Sequence, residues 1–247
     1  MARELADVLH YFLDDAPPRA AEKLAPVVAV PLAGGDALRA SFVWNLAVEL
    51  ARTGARPLVA VPSGARYADE LLPDPPLGGL LAPEVAHVSA EDLGAFAGAL
   101  RPLRRRARGL ALALVPPAWL GGTTGGSELL AWTLVFARPE EDQLDAATAL
   151  AERAAAAAPF ARLGVTLHGV GSVAEARDAF ERLAGLARPA LRSRLWSYGV
   201  LLDDLDVYRG LAQRTAVGLA RPQSRAARAL ADVARLLLDD ARAGAHA

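Results

Sequence analysis

The sequence predicts an α/β protein: a doubly wound, mostly parallel sheet covered by helices on both faces. Two observations carry that prediction. The stretch Pro26–Val61 opens with an apolar, β-branched run (Val27 to Val30) and a small-residue turn at Gly34 and Gly35. It continues as a helix-period segment from about Ala37 to Thr53, a stop at Gly54 and a second apolar run from Leu58 to Val61. Strand, glycine turn, helix, glycine stop and strand make the βαβ unit of a parallel sheet. Downstream, apolar runs keep alternating with helix-period segments, as crossover connections demand.

Taken in order, residues 3 to 13 place Leu5, Val8, Leu9, Phe12 and Leu13 at helical spacing, in an amphipathic helix stopped near Ala16 by Pro17 and Pro18. After the opening βαβ unit, Pro62 to Gly79 is rich in Pro and Gly and reads as a loop with one short helical piece. A strand is expected from Glu84 to Val88, then a helix capped by Ser89 with Asp92 three residues on, running to about Arg106 and interrupted at Pro102. Gly109 to Val115 (GLALALV) reads as a buried strand, ended by Pro116 and Pro117 and followed by the loop AWLGGTTGGS. Trp132 to Ala137 is the next strand, leading to a long Ala-rich helix from Pro139 to about Ala157. Leu163 to Leu167 is a strand, and Ser172 with Glu175 opens a helix to about Leu186 that is expected to resume after Pro189. Tyr198 to Leu202 is the last strand, and two helices, roughly Leu205 to Arg214 and Ser224 to Ala241, finish the chain.

At 247 residues and 53% hydrophobic content, the chain has material for one large core, expected from residue 26 to 247 behind a helical extension of residues 1 to 25. The formal net charge of -1 gives no global pull toward nucleic acid or anionic membrane. Cysteine is absent, which excludes disulfides, thiolate nucleophiles and Cys-ligated metals. The acidic start MARELADVLHYFLDD lacks the basic opening and apolar run of a secretory signal, and no run is long enough to cross a bilayer, so a cytoplasmic location is expected. The basic residues are almost all arginine; Lys23 is the one lysine.

The order of these signals resembles the MinD/ParA-type deviant P-loop ATPases, in the branch of flagellar-number regulators related to MinD. The likeness runs from about Pro26 to the last helix. NLAVELARTGARPLVAV (Asn45 to Val61) is similar to the family's N-L-A-x-x-L-A helix and its following strand. LVFARPEEDQLDAATALAE resembles its strand, T-P-E turn and D-A helix, and GVTLHGVGSVAEARDAFERL its V-V-N-x-V strand and E-A-x-x-x-F helix. The tail from Tyr198 resembles the G-x-I-P-x-D strand, the following turn and the closing helix.

The resemblance implies a phosphate-binding loop of the form K-G-G-V-G-K-T-T, and that chemistry does not carry over. Counting back from Asn45 puts Arg39 at the phosphate-binding lysine, Ala40 at the Mg-binding hydroxyl, followed by Ser41, and Leu38 at a required glycine. Gly34 falls at the signature lysine that in the family crosses to a partner's nucleotide. Sliding by one residue aligns Gly34 and Gly35 with the glycines but puts Leu38 in the lysine position. A guanidinium is bulkier than an ammonium and does not act as the compact point charge used in P-loops. The Mg-coordinating acid after the second strand is replaced by Val61, Pro62 and Ser63, and the family's D-T-P-A-G is VPPAW, Val115 to Trp119. Phosphoryl transfer needs metal, cradle and water-positioning together.

Other residues have simple readings beside sharper ones. Arg101, Arg104, Arg105, Arg106 and Arg108 suit the C-terminal dipole of a helix, with a nucleic-acid patch as the sharper alternative. Gly121, Gly122, Gly125 and Gly126 read as turn glycines, or as an anion-binding nest after a buried strand. None of His10, His87, His168 and His246 is spaced with a second ligand, so no metal site is expected. Glu140, Glu141 and Asp142 suit the start of a helix better than a paired-carboxylate hydrolase.

The expectation is therefore a pseudo-ATPase with no catalytic residues and no cofactor. It would serve as a regulatory or scaffold protein in a bacterial positioning, motility or secretion system, partnering an intact relative or another component of that system, or forming a constitutive dimer. Leu5, Val8, Leu9 and Phe12 are the candidate partner contacts. The competing enzyme reading is a nucleotide-binding ATPase whose non-standard loop uses Arg39.

Overall fold

The computed structural model describes residues 24–33, 35–63, 83–107, 109–121 and 125–244. The candidate partner contacts Leu5, Val8, Leu9 and Phe12 lie outside them, as do Gly34, Arg108, Gly122 and the short helix expected before Gly79. Seven parallel strands form one sheet in the order β3-β2-β4-β1-β5-β6-β7. In chain order they are β1 (Val27–Pro31), β2 (Leu58–Pro62), β3 (Glu84–Val88), β4 (Ala111–Val115), β5 (Trp132–Ala137), β6 (Arg162–Val170) and β7 (Trp196–Leu202). The helices are α1 (Ala37–Arg52), α2 (Leu93–Arg106), α3 (Glu141–Ala157), α4 (Val173–Ala187), α5 (Leu205–Ala212), α6 (Val217–Ala220) and α7 (Arg225–Gly244). The doubly wound α/β architecture is the one the sequence predicts.

Alternation along the central strands explains why both faces are covered. Val28, Val30, Val59, Val61, Leu112, Leu114, Leu134 and Phe136 point to one face, where they form a core with α1 and α7. Their neighbours Ala29, Ala60 and Ala113, aligned in register across β2, β4 and β1, point to the other. The volume these alanines leave is filled by Phe96 and Leu100 of α2 and by Leu120, Leu129 and Leu130 of two 3-10 turns, Pro117–Gly121 and Ser127–Ala131. Further along, α3 and α4 pack on β5 and β6 through Leu144, Ala147, Ala176, Ala179 and Leu183. A strand buried on both faces can carry an unbroken apolar run, which is how VVAVP, LVAVP and ALALV read.

The last helix is anchored at the N-terminal edge of the sheet. Tyr198 Oη donates to Asp240 Oδ2 at 2.6 Å, and the Arg162 guanidinium pairs with the same carboxylate at 2.6 Å. Arg162 lies over the rings of Trp132, Trp196 and Tyr198. Tyr198 fits only because Gly164 has no side chain: a Cβ there would stand 2.3 Å from the ring.

Four details differ from the sequence reading. Asp92, not Ser89, caps α2, accepting from the Ala95 amide at 2.7 Å; the apolar register of Leu93, Phe96, Ala97 and Leu100 sets the helix start there. Pro102 sits inside α2 without interrupting it, since the carbonyl it deprives belongs to exposed Gly98 and is open to water. No helix resumes after Pro189, because residues 188 to 195 run as a loop to reach β7. The tail has three helices rather than two, since the first ends at Ala212 and Arg214 takes φ +51°.

Asn45, 5% exposed, clamps that tail: its Oδ1 accepts from the Val217 amide at 2.7 Å and its Nδ2 donates to the Ser41 carbonyl at 2.7 Å. Asn45→Ala strands a buried amide at the start of α6 and is expected to cost about 2 kcal/mol of stability. Urea unfolding followed by far-ultraviolet circular dichroism measures that loss; an unchanged midpoint would show that water reaches Val217.

Candidate functional site

In parallel α/β sheets, ligands sit beyond the carboxyl ends of the strands. Here that edge brings together the ends of β1, β2, β4, β5 and β6, with β1 central. The turn from β1 into α1 holds Gly35 at φ +90° and then Asp36, the N-cap of α1. Four amides of the turn and the start of α1 are already engaged. Asp36 N donates to Ala33 O at 3.3 Å, Ala37 N to Gly35 O at 3.0 Å, Ala40 N to Asp36 O at 3.0 Å, and Arg39 N to Asp36 Oδ1 at 3.0 Å. A phosphate cradle works by aiming such amides at the ligand.

Arg39 is likewise spoken for. Its guanidinium pairs with Asp36 Oδ2 at 3.2 Å, donates through Nη2 to Gln143 Oε1 on α3 at 3.1 Å, and reaches His168 Nε2 on β6 at 3.4 Å. The side chains of Arg39 and Asp36 are 19% and 24% exposed. His168 is 2% exposed and packs edge-on against Phe42 and Phe136, with ring centroids 5.1 and 6.5 Å away. Burial first, then the charges of Arg39 and Arg138, push its imidazole down to about 3. It is neutral, with Nε2 free to accept from Arg39. Arg138, which follows β5, pairs with Glu140 at 3.0 Å and covers Gly169.

Leu38 packs against the α1–α7 core, Ala40 is fully buried, and Ser41 Oγ donates to the Leu38 carbonyl at 2.7 Å, capping no ligand. The cavity between Leu38, Phe42, His168, Leu201, Asp203 and Tyr208 holds about 10 Å³, against several hundred for a small-molecule pocket. At the end of β2 stand Val61, Pro62 and Ser63, whose amide bonds to Val88 O; at the end of β4, Val115 leads into Pro116 and the first 3-10 turn. Among the described residues, no carboxylate follows directly on either strand end. Among the described residues, no group of three His, Cys, Asp or Glu is placed to hold a metal.

The remaining candidates fall elsewhere. Gly125 and Gly126 turn at φ +100° and +79°, and a Cβ on Gly126 would stand 2.5 Å from the Leu93 carbonyl, so this glycine serves close packing on α2. Gly121 ends the first 3-10 turn. Arg104 to Arg106 occupy the last turn of α2, where the dipole favours cations. Arg104 also knits the lead-in to β1, donating to Ala25 O at 2.8 Å while its own carbonyl accepts from Ala25 N at 3.1 Å. Arg101, Arg105 and Arg106 are exposed along the same helix. Asp36, Gln143 and Arg138 escaped the sequence reading. Asp36 was signalled as a capping residue before a helix-period run; the other two carry no pattern of their own and are brought in by the strand order.

No protein-family model matches the sequence, and no curated protein matches it. Solved structures do. The chain is similar to MinD in the MinC:MinD cell division complex of Aquifex aeolicus (TM-score 0.64, 13% identity, 87% of this chain and 96% of that one). It is similar to the septum site-determining protein MinD of Pyrococcus horikoshii, complexed with Mg-ADP (TM-score 0.58, 16% identity, 90% and 98%). A ParA family ATPase of Chlorobium tepidum also matches (TM-score 0.57, 12% identity, 86% and 98%). The fold is that of the MinD and ParA ATPases. On this fold Asp36, Arg39 and His168 meet at the turn after β1.

The neutral His168 makes stability depend on acid. The unfolded imidazole binds a proton near pH 6.5 while the folded one resists until about 3, so between those values the unfolded state holds more protons and stability falls as pH falls. The expected slope is about 1.4 kcal/mol per pH unit at most. His168→Gln, which keeps an acceptor for Arg39 without a titrating group, should flatten the urea-midpoint profile between pH 6.5 and 4. An identical slope in the variant would remove His168 as its source.

Proposed function

We propose that this chain is a MinD/ParA-type pseudo-ATPase of the flagellar-number-regulator branch, kept as a regulatory or scaffold protein after its nucleotide chemistry was lost. One observation carries the reading. Arg39, which the resemblance aligns with the phosphate-binding lysine, is held by Asp36, Gln143 and His168, and four amides at the start of α1 bond to the protein itself. An acidic Asp36 in the turn adds repulsion toward any triphosphate. Among the described residues, the ends of β2 and β4 supply no acid for magnesium or for an attacking water.

The architecture is nonetheless intact over 86% or more of the chain when set against MinD and ParA structures, which fits selection on a surface rather than on chemistry. A relative from Aquifex aeolicus is seen with MinC. By analogy the present chain serves a protein partner, an intact relative or another component of a bacterial positioning, motility or secretion system, in the cytoplasm. No helix among the described residues is long and apolar enough to cross a membrane. The amphipathic residues 3 to 13, with Leu5, Val8, Leu9 and Phe12 on one side, are the proposed contact with it, ahead of a single α/β domain from residue 26.

Isothermal titration with Mg-ATP and Mg-ADP, paired with a phosphate-release assay, tests the loss of chemistry. No saturable heat and no release are expected up to millimolar nucleotide. Micromolar binding with turnover, abolished by Arg39→Ala, would overturn the proposal in favour of an ATPase with a non-standard loop.

A further inference from the structure

We propose that, while no partner holds it, the chain's own acidic N-terminal segment, residues 3 to 15, docks in cis on an arginine-lined cleft at the N-terminal edge of the sheet. The cleft lies between the C-terminal half of α4 and the loop that leads into β7, and holds about 610 Å³. Its floor is apolar, with Phe180, Leu191 and Leu195, and its cations are Arg188, Arg192 and Arg194. The one carboxylate in its wall, Glu181, is paired with Arg177 at 3.0 Å.

Three arginines without a carboxylate partner among the described residues meet at this one cleft. Arg39, Arg52, Arg138, Arg162, Arg177, Arg209, Arg235 and Arg242 each hold a carboxylate. Arg188, Arg192 and Arg194 have none among the described residues. Two are instead set by aromatic faces: the Arg194 guanidinium carbon sits 3.6 Å from the Trp196 ring centroid, and that of Arg192 5.8 Å from the ring of Phe160, itself 86% exposed. Stacking orients a guanidinium and leaves its N–H edge open to an anion. Cations over an apolar floor, with no buried polar group converging on them, suit a ligand that alternates carboxylates with aliphatic and aromatic side chains.

The segment ahead of residue 24 has that composition. Glu4, Asp7, Asp14 and Asp15 accompany Leu5, Val8, Leu9, Phe12 and Leu13, with Arg3 the only basic residue among them. It is also tethered on the correct edge. Leu24 precedes β1 at the N-terminal end of the sheet, and α4, antiparallel to the strands, delivers its C-terminus and the cleft to that same end. From β1 across β5 and β6 to β7 is three strand spacings, about 14 Å. The eight residues from 16 to 23 span up to about 27 Å when extended.

Hydrogen exchange read by mass spectrometry on the full chain, at low salt and several protein concentrations, tests this. Amides 3 to 15 are expected to exchange about tenfold faster in R192E/R194E and in D14K/D15K than in the unaltered chain, since each double change reverses two ion pairs. Combining the two should restore most of the protection. The segment variant leaves the domain untouched, so it decides the matter alone if R192E/R194E raises exchange throughout β6 and β7. Equal exchange of amides 3 to 15 in all chains would overturn the proposal. So would protection that grows with protein concentration, which would place the segment on a second copy.

Discussion

A guanidinium at the mouth of the central strand needs neutralisation, and here the protein supplies it from within. Arg39 stands where α1 begins, at the end of the fold where a helix N-terminus already concentrates positive potential. Left alone, it would put charge upon charge. Asp36 answers both at once: one oxygen caps the helix through the Arg39 amide, and the other holds the Arg39 side chain. Gln143 and neutral His168 take the remaining N–H groups. The arrangement joins β1, α1, α3 and β6 at one point, so the local electrostatics and the packing of the carboxyl edge are a single problem with a single solution.

That solution has consequences for its neighbours. His168 accepts from Arg39 only while unprotonated, and its burial against Phe42 and Phe136 keeps it so. Leu38, partly buried against the apolar core, closes the space that glycine would leave at the same turn. The small cavity beside it is what remains once these side chains are in place. At this end of the sheet the polar side chains of Asp36, Arg39, Gln143 and His168 face one another.

Much of this was legible in the sequence. Strands buried on both faces announce themselves as unbroken apolar runs, and Val27–Pro31, Leu58–Pro62 and Ala111–Val115 did so because their alternate residues serve two cores. Arg39 at the head of α1 was legible from the helix-period run that follows Gly35. What Arg39 touches was not, since Gln143 and His168 lie 104 and 129 residues away and only the order of strands brings them near. The start of α2 was misplaced because Ser89 and Asp92 are equally good caps by residue type; the side-chain register of Leu93 and Phe96 decides, and that depends on the sheet beneath. Pro102 looked like a break because propensity counts the lost bond without knowing that its carbonyl faces water.

A decayed site and a refilled one differ physically. Decay by random substitution leaves unsatisfied amides, a charge without a partner, or a void, each costing on the order of 1–3 kcal/mol in a protein whose whole stability is about ten. At the turn after β1 the amides of Asp36, Ala37, Arg39 and Ala40 are bonded, Arg39 has three partners, and Ala40 and Ser41 are packed. Side chains that satisfy one another in this way hold the turn in one arrangement. At the opposite edge Arg188, Arg192 and Arg194 line one cleft with no carboxylate partner among the described residues, and an anionic occupant would complete them. The carboxyl edge of the sheet has been satisfied from inside the domain, and the opposite edge has not.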